Sequence, residues 1–345
     1  MKAFVCKEFG PIESHGIEEL PDPVAGDGQV VVDIKATGIS FPDVLIVQGL
    51  YQFKPPFPFS PGSEISGIVS SVGSGVSRFK EGDRVMGNVG SGGLAEKGAF
   101  FEPQLMPLPE TMDFQIAAGF PLNYGTTIHG LKQRAELKPD ETILILGAGG
   151  GLGITAVQVA KAMGAKVIAG VSSEDKLELC KREGADEGIL YPREMDRDAQ
   201  KKFSNDIKEI SGGGVDVIYD IVGGDYAEPS LRAIKRHGRY LVIGFTAGIP
   251  KMPLNLTLLK ECQIIGVFWG QFAGLDREIN KKNFEELFQM HADGKINPFV
   301  SEAYPLERAG EAIKTLEDRR VLGKVVVSME SVSYTHLTLP TNREV

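Results

Sequence analysis

Between Glu141 and Lys161 the chain runs through nineteen uncharged residues, Thr142 to Ala160. A run of that length spans a membrane only as one continuous apolar helix, and five glycines lie between Gly147 and Gly153. They split the run in two. Thr142-Ile143-Leu144-Ile145-Leu146 reads as a strand covered on both faces, and the stretch up to Met163 reads as a helix stopped by Gly164. The joining turn, Leu146-Gly147-Ala148-Gly149-Gly150-Gly151-Leu152-Gly153, fits a G-x-G-x-x-G register as Ala148-x-Gly150-x-x-Gly153. In a strand–turn–helix setting that pattern brings backbone N–H groups and a helix dipole to a pyrophosphate, and its last glycine lets helix and strand pack closely. Ala148, Gly150, Gly151, Leu152 and Gly153 are therefore the expected dinucleotide cradle; a bare structural turn is the alternative.

The sequence downstream supports a parallel sheet. Strand Lys166 to Val171 is followed by a helix from Glu174 to Glu183, a strand at Gly188 to Tyr191 and a helix from Arg197 to Ile210. Strand Val215 to Val222, a helix reaching Arg236, and strands Arg239 to Phe245 and Gln263 to Phe268 follow. Alternation of this kind predicts a doubly wound α/β domain over 126–294. Residues 1–125 have another texture: short β-branched runs such as Val30-Val31-Val32-Asp33-Ile34 between Pro/Gly turns, predicting a mostly β domain. Tyr51 to Gly62, punctuated by Pro55, Pro56, Pro58 and Pro61, reads as a loop. Beyond Gly294 a strand, a helix from Leu306 to Asp318 and a strand from Lys324 to Met329 are expected to complete the first domain over 295–330. The Ser/Thr-rich segment 331–345 lacks periodicity and is read as translated vector sequence, with a native flexible tail as the alternative.

Composition narrows the function. Thirty-seven basic and 46 acidic residues leave a formal charge of -9, which disfavours a sequence-independent nucleic-acid binder. Three cysteines, Cys6, Cys180 and Cys262, are too few and scattered for a disulfide framework. The amino terminus has no apolar signal-peptide core. The expectation is a cytoplasmic protein with no membrane and no nucleic-acid partner.

The choice of dinucleotide turns on the end of the second strand, where NAD-binding versions carry a carboxylate for the ribose 2′-OH. Here Gly170-Val171-Ser172-Ser173 offers hydroxyls, and Lys176 follows. NADPH is therefore the expected cofactor, with Ser172, Ser173 and Lys176 at its 2′-phosphate. The counter-reading places Glu174 or Asp175 on the ribose of NAD.

Asp140-Glu141-Thr142-Ile143-Leu144, the turn through Gly153, Gln158 and Lys161 together resemble the quinone oxidoreductase/zeta-crystallin signature of the medium-chain dehydrogenase/reductase superfamily. Pro61-Gly62-Ser63-Glu64, Gly82-Asp83-Arg84-Val85, Val215-Asp216-Val217-Ile218-Tyr219-Asp220 and Gly323-Lys324-Val325-Val326 extend the likeness over about residues 1–329. Gly149 departs, since the family usually has Ala or Ser there. The resemblance implies a GroES-like, mostly β catalytic domain plus a Rossmann domain.

It also implies site residues. Tyr51 matches a tyrosine lining the acceptor site, and Thr127 a threonine near the nicotinamide. Ser40 stands where the family commonly has Asn, and keeps one hydrogen-bond donor. Lys176, Tyr191 and Arg319 match its 2′-phosphate contacts, while Gly244 and Phe268 fall at the cofactor. Trp269 is expected against the cofactor or in a dimer core. The zinc-dependent branch carries Cys and His ligands where this chain reads Gly38-Ile39-Ser40-Phe41-Pro42-Asp43 and Gly62-Ser63-Glu64. Serine is a poor zinc ligand, and His15, His129, His237 and His291 have no ligand spacing, so no metal is expected. Without a Lewis acid, hydride transfer from NADPH to a quinone or conjugated carbonyl is favoured over alcohol oxidation. A reductase of activated alkenes (2-alkenals, enones or enoyl thioesters) and a non-catalytic NADPH-binding structural or RNA-contacting protein are the alternatives. The apolar segment Gln263 to Trp269, at a sheet edge in the family, predicts a homodimer.

Overall fold

The computed structural model describes residues 1–318 and 320–329. The expectations for Arg319 and for 331–345 lie outside the described residues. The chain forms two compact units, Asn123–Asn297 and Met1–Leu122 with the segment from Pro298 onward. Among the described residues, no helix is long and apolar enough to cross a membrane.

The contiguous unit is built on a six-stranded sheet. Its order is Glu187–Leu190, Lys166–Val171, Thr142–Leu146, Val215–Asp220, Ile234–Val242, Gln263–Gly266, and every pairing is parallel. Strand order therefore reverses beside Thr142–Leu146, so the carboxyl ends of that strand and of Val215–Asp220 form the topological switch point where such sheets bind ligands. The central strands are apolar on both faces because helices cover both. Leu144, Ile168, Ile218 and Tyr240 are buried together with Phe203 and Ile207. Those last two lie one turn apart on the helix Arg197–Ile210. Asp196 starts that helix by accepting a hydrogen bond from the Ala199 N–H at 2.8 Å.

Three expectations here need correction. The helix expected to reach Arg236 ends at Arg232, and the next strand starts at Ile234. Its polar run Lys235-Arg236-His237 hides the β signal. The last strand stops at Gly266 rather than Phe268, and Trp269 opens a helix, Trp269–Leu275. Its indole is buried in this unit's own core: it packs on Phe284, donates to Asn280 Oδ1 at 2.9 Å, and occupies the space a Cβ at Gly125 would need.

The discontinuous unit is mostly β. A seven-stranded sheet runs Val300–Pro305, Lys324–Ser328, Gln29–Ile39, Glu64–Val72, Arg84–Asn88, Leu105–Pro107, with Lys97–Phe101 also pairing on Gln29–Ile39. The long strand Gln29–Ile39 alternates β-branched residues that bury Val30, Val32 and Ile34 in one cluster. Helix Phe41–Val47, which the β-texture concealed, packs Val44 and Val47 beside Ile313 of the helix Ala309–Glu317.

Candidate active site

In the contiguous unit the glycine-rich turn is held by its neighbour strand. The N–H groups of Gly147 and Ala148 both donate to the Gly170 carbonyl, at 3.0 and 3.1 Å. Helix Gly151–Ala162 then begins without a side-chain cap, since its N-cap is Gly150 in extended conformation. The Ile154 N–H is the first to close a helical bond, on the Gly150 carbonyl at 2.8 Å. Gly151, Leu152 and Gly153 thus present N–H groups that the helix itself cannot satisfy. A Cβ at Gly153 would come within 2.2 Å of the Gly147 carbonyl oxygen, so only glycine permits this approach. The arrangement fits a pyrophosphate.

Lys176 lies across the same turn. A Cβ at Gly149 would sit 2.7 Å from the Lys176 Cβ and 2.8 Å from its Cγ. The Ala or Ser usual in the family would displace that stem, which gives the departure at Gly149 a physical reason. Burial first, and then the charge of Arg193, hold the Lys176 ammonium below its ordinary value. Sequence reasoning missed Arg193. It follows the third strand at the sheet's binding edge, and its carbonyl accepts the Tyr226 hydroxyl at 2.9 Å. The Lys176 ammonium therefore lies within electrostatic reach of a second cation, an arrangement that a bound phosphate would stabilise.

Ser172 is exposed, and Ser173 is the N-cap of helix Glu174–Arg182 without a capping side-chain bond. Glu174 and Asp175 occupy the first helical turn and are exposed, where they complement its dipole. Tyr191 is a core residue, 9% exposed and packed against Phe203 and Tyr226. At the switch point Asp220 is buried. It accepts from the Tyr240 hydroxyl at 2.5 Å and from the N–H groups of Val222 and Gly223 at 2.8 and 2.9 Å. Burial raises its carboxyl above the usual range. The Asp220 carbonyl accepts from the Gly244 N–H at 3.2 Å. Thr127, inside the helix Pro121–Ile128, lies with its hydroxyl 3.2 Å from that of Tyr219, both wholly buried. Phe268 is 61% exposed.

In the discontinuous unit Ser40 follows the long strand Gln29–Ile39 and is the N-cap of helix Phe41–Val47. Its N–H donates to Asp43 Oδ2 at 2.8 Å, and its hydroxyl donates to Glu64 Oε2 at 2.9 Å. Lys324 donates to Ser40 Oγ at 2.7 Å and to Glu64 Oε2 at 2.5 Å. The other Glu64 oxygen accepts from the Leu122 N–H at 2.8 Å. All four side chains are buried. Sequence reasoning placed Lys324 only within a motif, because nothing local announces that a residue near the carboxyl end returns to Ser40. The Ser63 hydroxyl is buried with no hydrogen-bond partner among the described residues. Tyr51 is half-buried. Burial and the Asp43 carboxylate raise its phenol above the ordinary value, which keeps it a donor.

This donor set does not fit zinc. Hydroxyls replace both leading ligands, and an ammonium 2.7 Å from Ser40 Oγ repels a divalent cation. No group of three His, Cys, Asp or Glu side chains among the described residues could hold a metal.

Comparison with known proteins follows the same lines. Residues 26–110 match the alcohol dehydrogenase GroES-like domain and residues 151–291 the zinc-binding dehydrogenase domain. Over 331 residues the chain is 36% identical to quinone oxidoreductase-like protein 2 of Rattus norvegicus, covering 95% of this chain and 92% of that protein. It is 33% identical to the quinone oxidoreductase of the same species, covering 90% and 92%. The chain belongs to the zinc-free quinone oxidoreductase branch of the medium-chain dehydrogenase/reductases. It is an oxidoreductase of that superfamily with a GroES-like and a Rossmann domain. Among solved structures, that of Escherichia coli quinone oxidoreductase complexed with NADPH superposes with a TM-score of 0.87 at 32% identity, covering 95% of this chain and all of that one. The family domain's zinc-binding description therefore names a property that Ser40 and Ser63 do not support.

Burial pushes the Asp43 carboxyl up to about 6, outweighing the Ser40 N–H bond and the Lys324 charge that favour ionisation. A carboxyl raised on folding binds its proton more tightly in the folded state. The stability it contributes is present below the unfolded pKa and is lost as pH rises through the folded one. Relative to Asp43→Asn, the unmodified protein is expected to lose stability between about pH 4 and 6, by up to ~3 kcal/mol. Urea unfolding midpoints of both proteins across that range check this; a constant difference contradicts it.

Proposed function

We propose that this chain is an NADPH:quinone oxidoreductase. The observation that carries the acceptor is the Ser40 hydroxyl, held by an ammonium where the zinc branch has a metal ligand. Such a site has no Lewis acid to draw a proton from an alcohol, and suits an acceptor that is already electrophilic. For the cofactor, the support is the uncapped helix start at Gly151 with Lys176 and Arg193 beside it. Its relatives include the bacterial quinone oxidoreductase complexed with NADPH.

NADPH, when bound, would supply a hydride, that is, one proton with two electrons. The chain's own residues do the rest. Gly151, Leu152 and Gly153 would hold its pyrophosphate through their N–H groups, while Lys176, Arg193, Ser172 and Ser173 would hold its 2′-phosphate. Asp220 fixes the Val222–Gly223 backbone at the strand ends, and Tyr219 fixes the Thr127 hydroxyl in the core beside them. Ser40 and Tyr51 donate hydrogen bonds to the acceptor's carbonyl oxygen as it gains charge. Rate comes chiefly from positioning.

NADPH oxidation against a panel of quinones, enones and enoyl thioesters tests this directly. Quinones are expected to be the fastest acceptors, and the activity should survive exhaustive chelation. Faster turnover of enones or thioesters would move the assignment to activated alkenes.

Lys176→Ala is expected to weaken NADPH by roughly 10- to 100-fold with little effect on NADH, since a charge-assisted phosphate contact contributes about 1.5–3 kcal/mol. Equal affinity of the unmodified protein for the two cofactors would overturn the phosphate site.

We further propose a homodimer through the Gln263–Gly266 edge. That strand pairs only with Ile234–Val242 among the described residues. In the sequence that flanks it, Ile249, Leu254, Leu258, Leu259, Phe268 and Leu275 are each more than 60% exposed. A two-fold axis lets the edge pair with its copy and buries that surface. Sedimentation at micromolar concentration should give twice the chain mass; a single-chain mass would refute it.

A further inference from the structure

We propose that Lys324 is a positioning residue that makes Ser40 an obligate hydrogen-bond donor to the acceptor's carbonyl oxygen; this rests on the role given to Ser40 above. An ammonium carries three donors and no acceptor. At 2.7 Å, Lys324 Nζ occupies a lone pair of Ser40 Oγ, so the hydroxyl hydrogen can point only toward an acceptor. In the free protein that acceptor is Glu64 Oε2, at 2.9 Å. Lys324 also donates to this same oxygen, at 2.5 Å. When the Ser40 hydrogen turns to a substrate oxygen, Glu64 therefore remains paired, and the swing exposes no bare carboxylate. The donation from an ammonium also polarises the hydroxyl it meets, which strengthens the next bond in the chain.

The path of the lysine stem is built for this. It passes between two glycines. A Cβ at Gly119 would lie 2.8 Å from Lys324 Cγ, and one at Gly38 would lie 3.0 Å from Lys324 Cε. Stability alone does not call for such a route, because apolar side chains often replace a buried ion pair without loss. The reaction does give the hydroxyl a task. Hydride addition breaks a C–H bond on the nicotinamide, forms one on the conjugated acceptor and moves the π pair onto the acceptor's carbonyl oxygen. Ser40 hydrogen-bonds that oxygen while its charge develops, and solvent afterwards supplies the proton.

The test is a double-mutant cycle read in two ways: kcat for quinone reduction, and affinity of the NADP+-loaded protein for 4-nitrophenolate, an oxyanion that undergoes no reduction. Ser40→Ala and Lys324→Met are each expected to lower kcat and phenolate affinity roughly 10- to 100-fold, the scale of one lost oxyanion donor. KM should change little. The double variant should be no worse than the poorer single one. Additive losses, or wild-type behaviour of Lys324→Met, would overturn the proposal. Should Lys324→Met fail to fold because Glu64 is left unpaired, Gly119→Ala decides. It keeps every charge and displaces only the lysine stem, so both readouts should fall about tenfold; unchanged values would sink the idea. An unmodified protein that reduces no acceptor contradicts the proposed function instead. The phenolate cycle still reads the Lys324–Ser40 coupling, and absence of phenolate binding by the unmodified protein would also overturn it.

Discussion

The ion pair between Lys324 and Glu64 is the constraint around which the discontinuous unit is arranged. It joins residues 260 positions apart in sequence. Lys324 opens the strand Lys324–Ser328, Glu64 opens Glu64–Val72, and both strands flank Gln29–Ile39, whose last residue precedes Ser40. Either charge alone at that depth would cost several kcal/mol. Together, with the Leu122 N–H and the Ser40 hydroxyl, every oxygen of Glu64 is satisfied. The register of the sheet, the start of helix Phe41–Val47 and the chemistry of Ser40 are thereby set by one contact. A cation is also placed where a metal enzyme of this fold would need donors.

The contiguous unit solves a different electrostatic problem. The chain as a whole carries a formal charge of -9, yet its expected ligand is an anion. The solution is local. The N–H groups that open helix Gly151–Ala162, which the helix itself cannot satisfy, and the cations Lys176 and Arg193 concentrate positive potential at the strand ends, while Glu174 and Asp175 lie exposed on the next helix. A global acidic balance keeps nonspecific polyanions away without weakening that pocket.

The glycine-rich turn and the parallel alternation around it were fully legible, because hydrophobic runs and glycine punctuation are local signals. The fold class follows from them. Less legible was anything decided by a distant partner. The polar run Lys235-Arg236-His237 concealed the start of a strand that pairing with Val215–Asp220 extends back to Ile234. Trp269 was drawn to the cofactor or a dimer core by its rarity, whereas Gly125 and Phe284 enclose it within its own unit. Among the candidate site residues, Ser40 and Lys176 were proposed from position alone. Arg193 was not, since it becomes relevant only once the third strand lies beside the second. The partnership of Ser40 with Lys324 needed the fold, because sequence separation hides every contact of this kind.

The segmentation of the discontinuous unit has a consequence for synthesis on the ribosome. Residues 123–297 are one uninterrupted segment, so their sheet can close while the rest of the chain is still being made. The flanking unit cannot. Strands Val300–Pro305 and Lys324–Ser328, which extend its sheet beside Gln29–Ile39, are translated last. Until then the Glu64 carboxylate lacks its ammonium, so burying the amino-terminal β segment around it is costly before the carboxyl end arrives. Premature burial is discouraged by the same charge that later locks the finished unit.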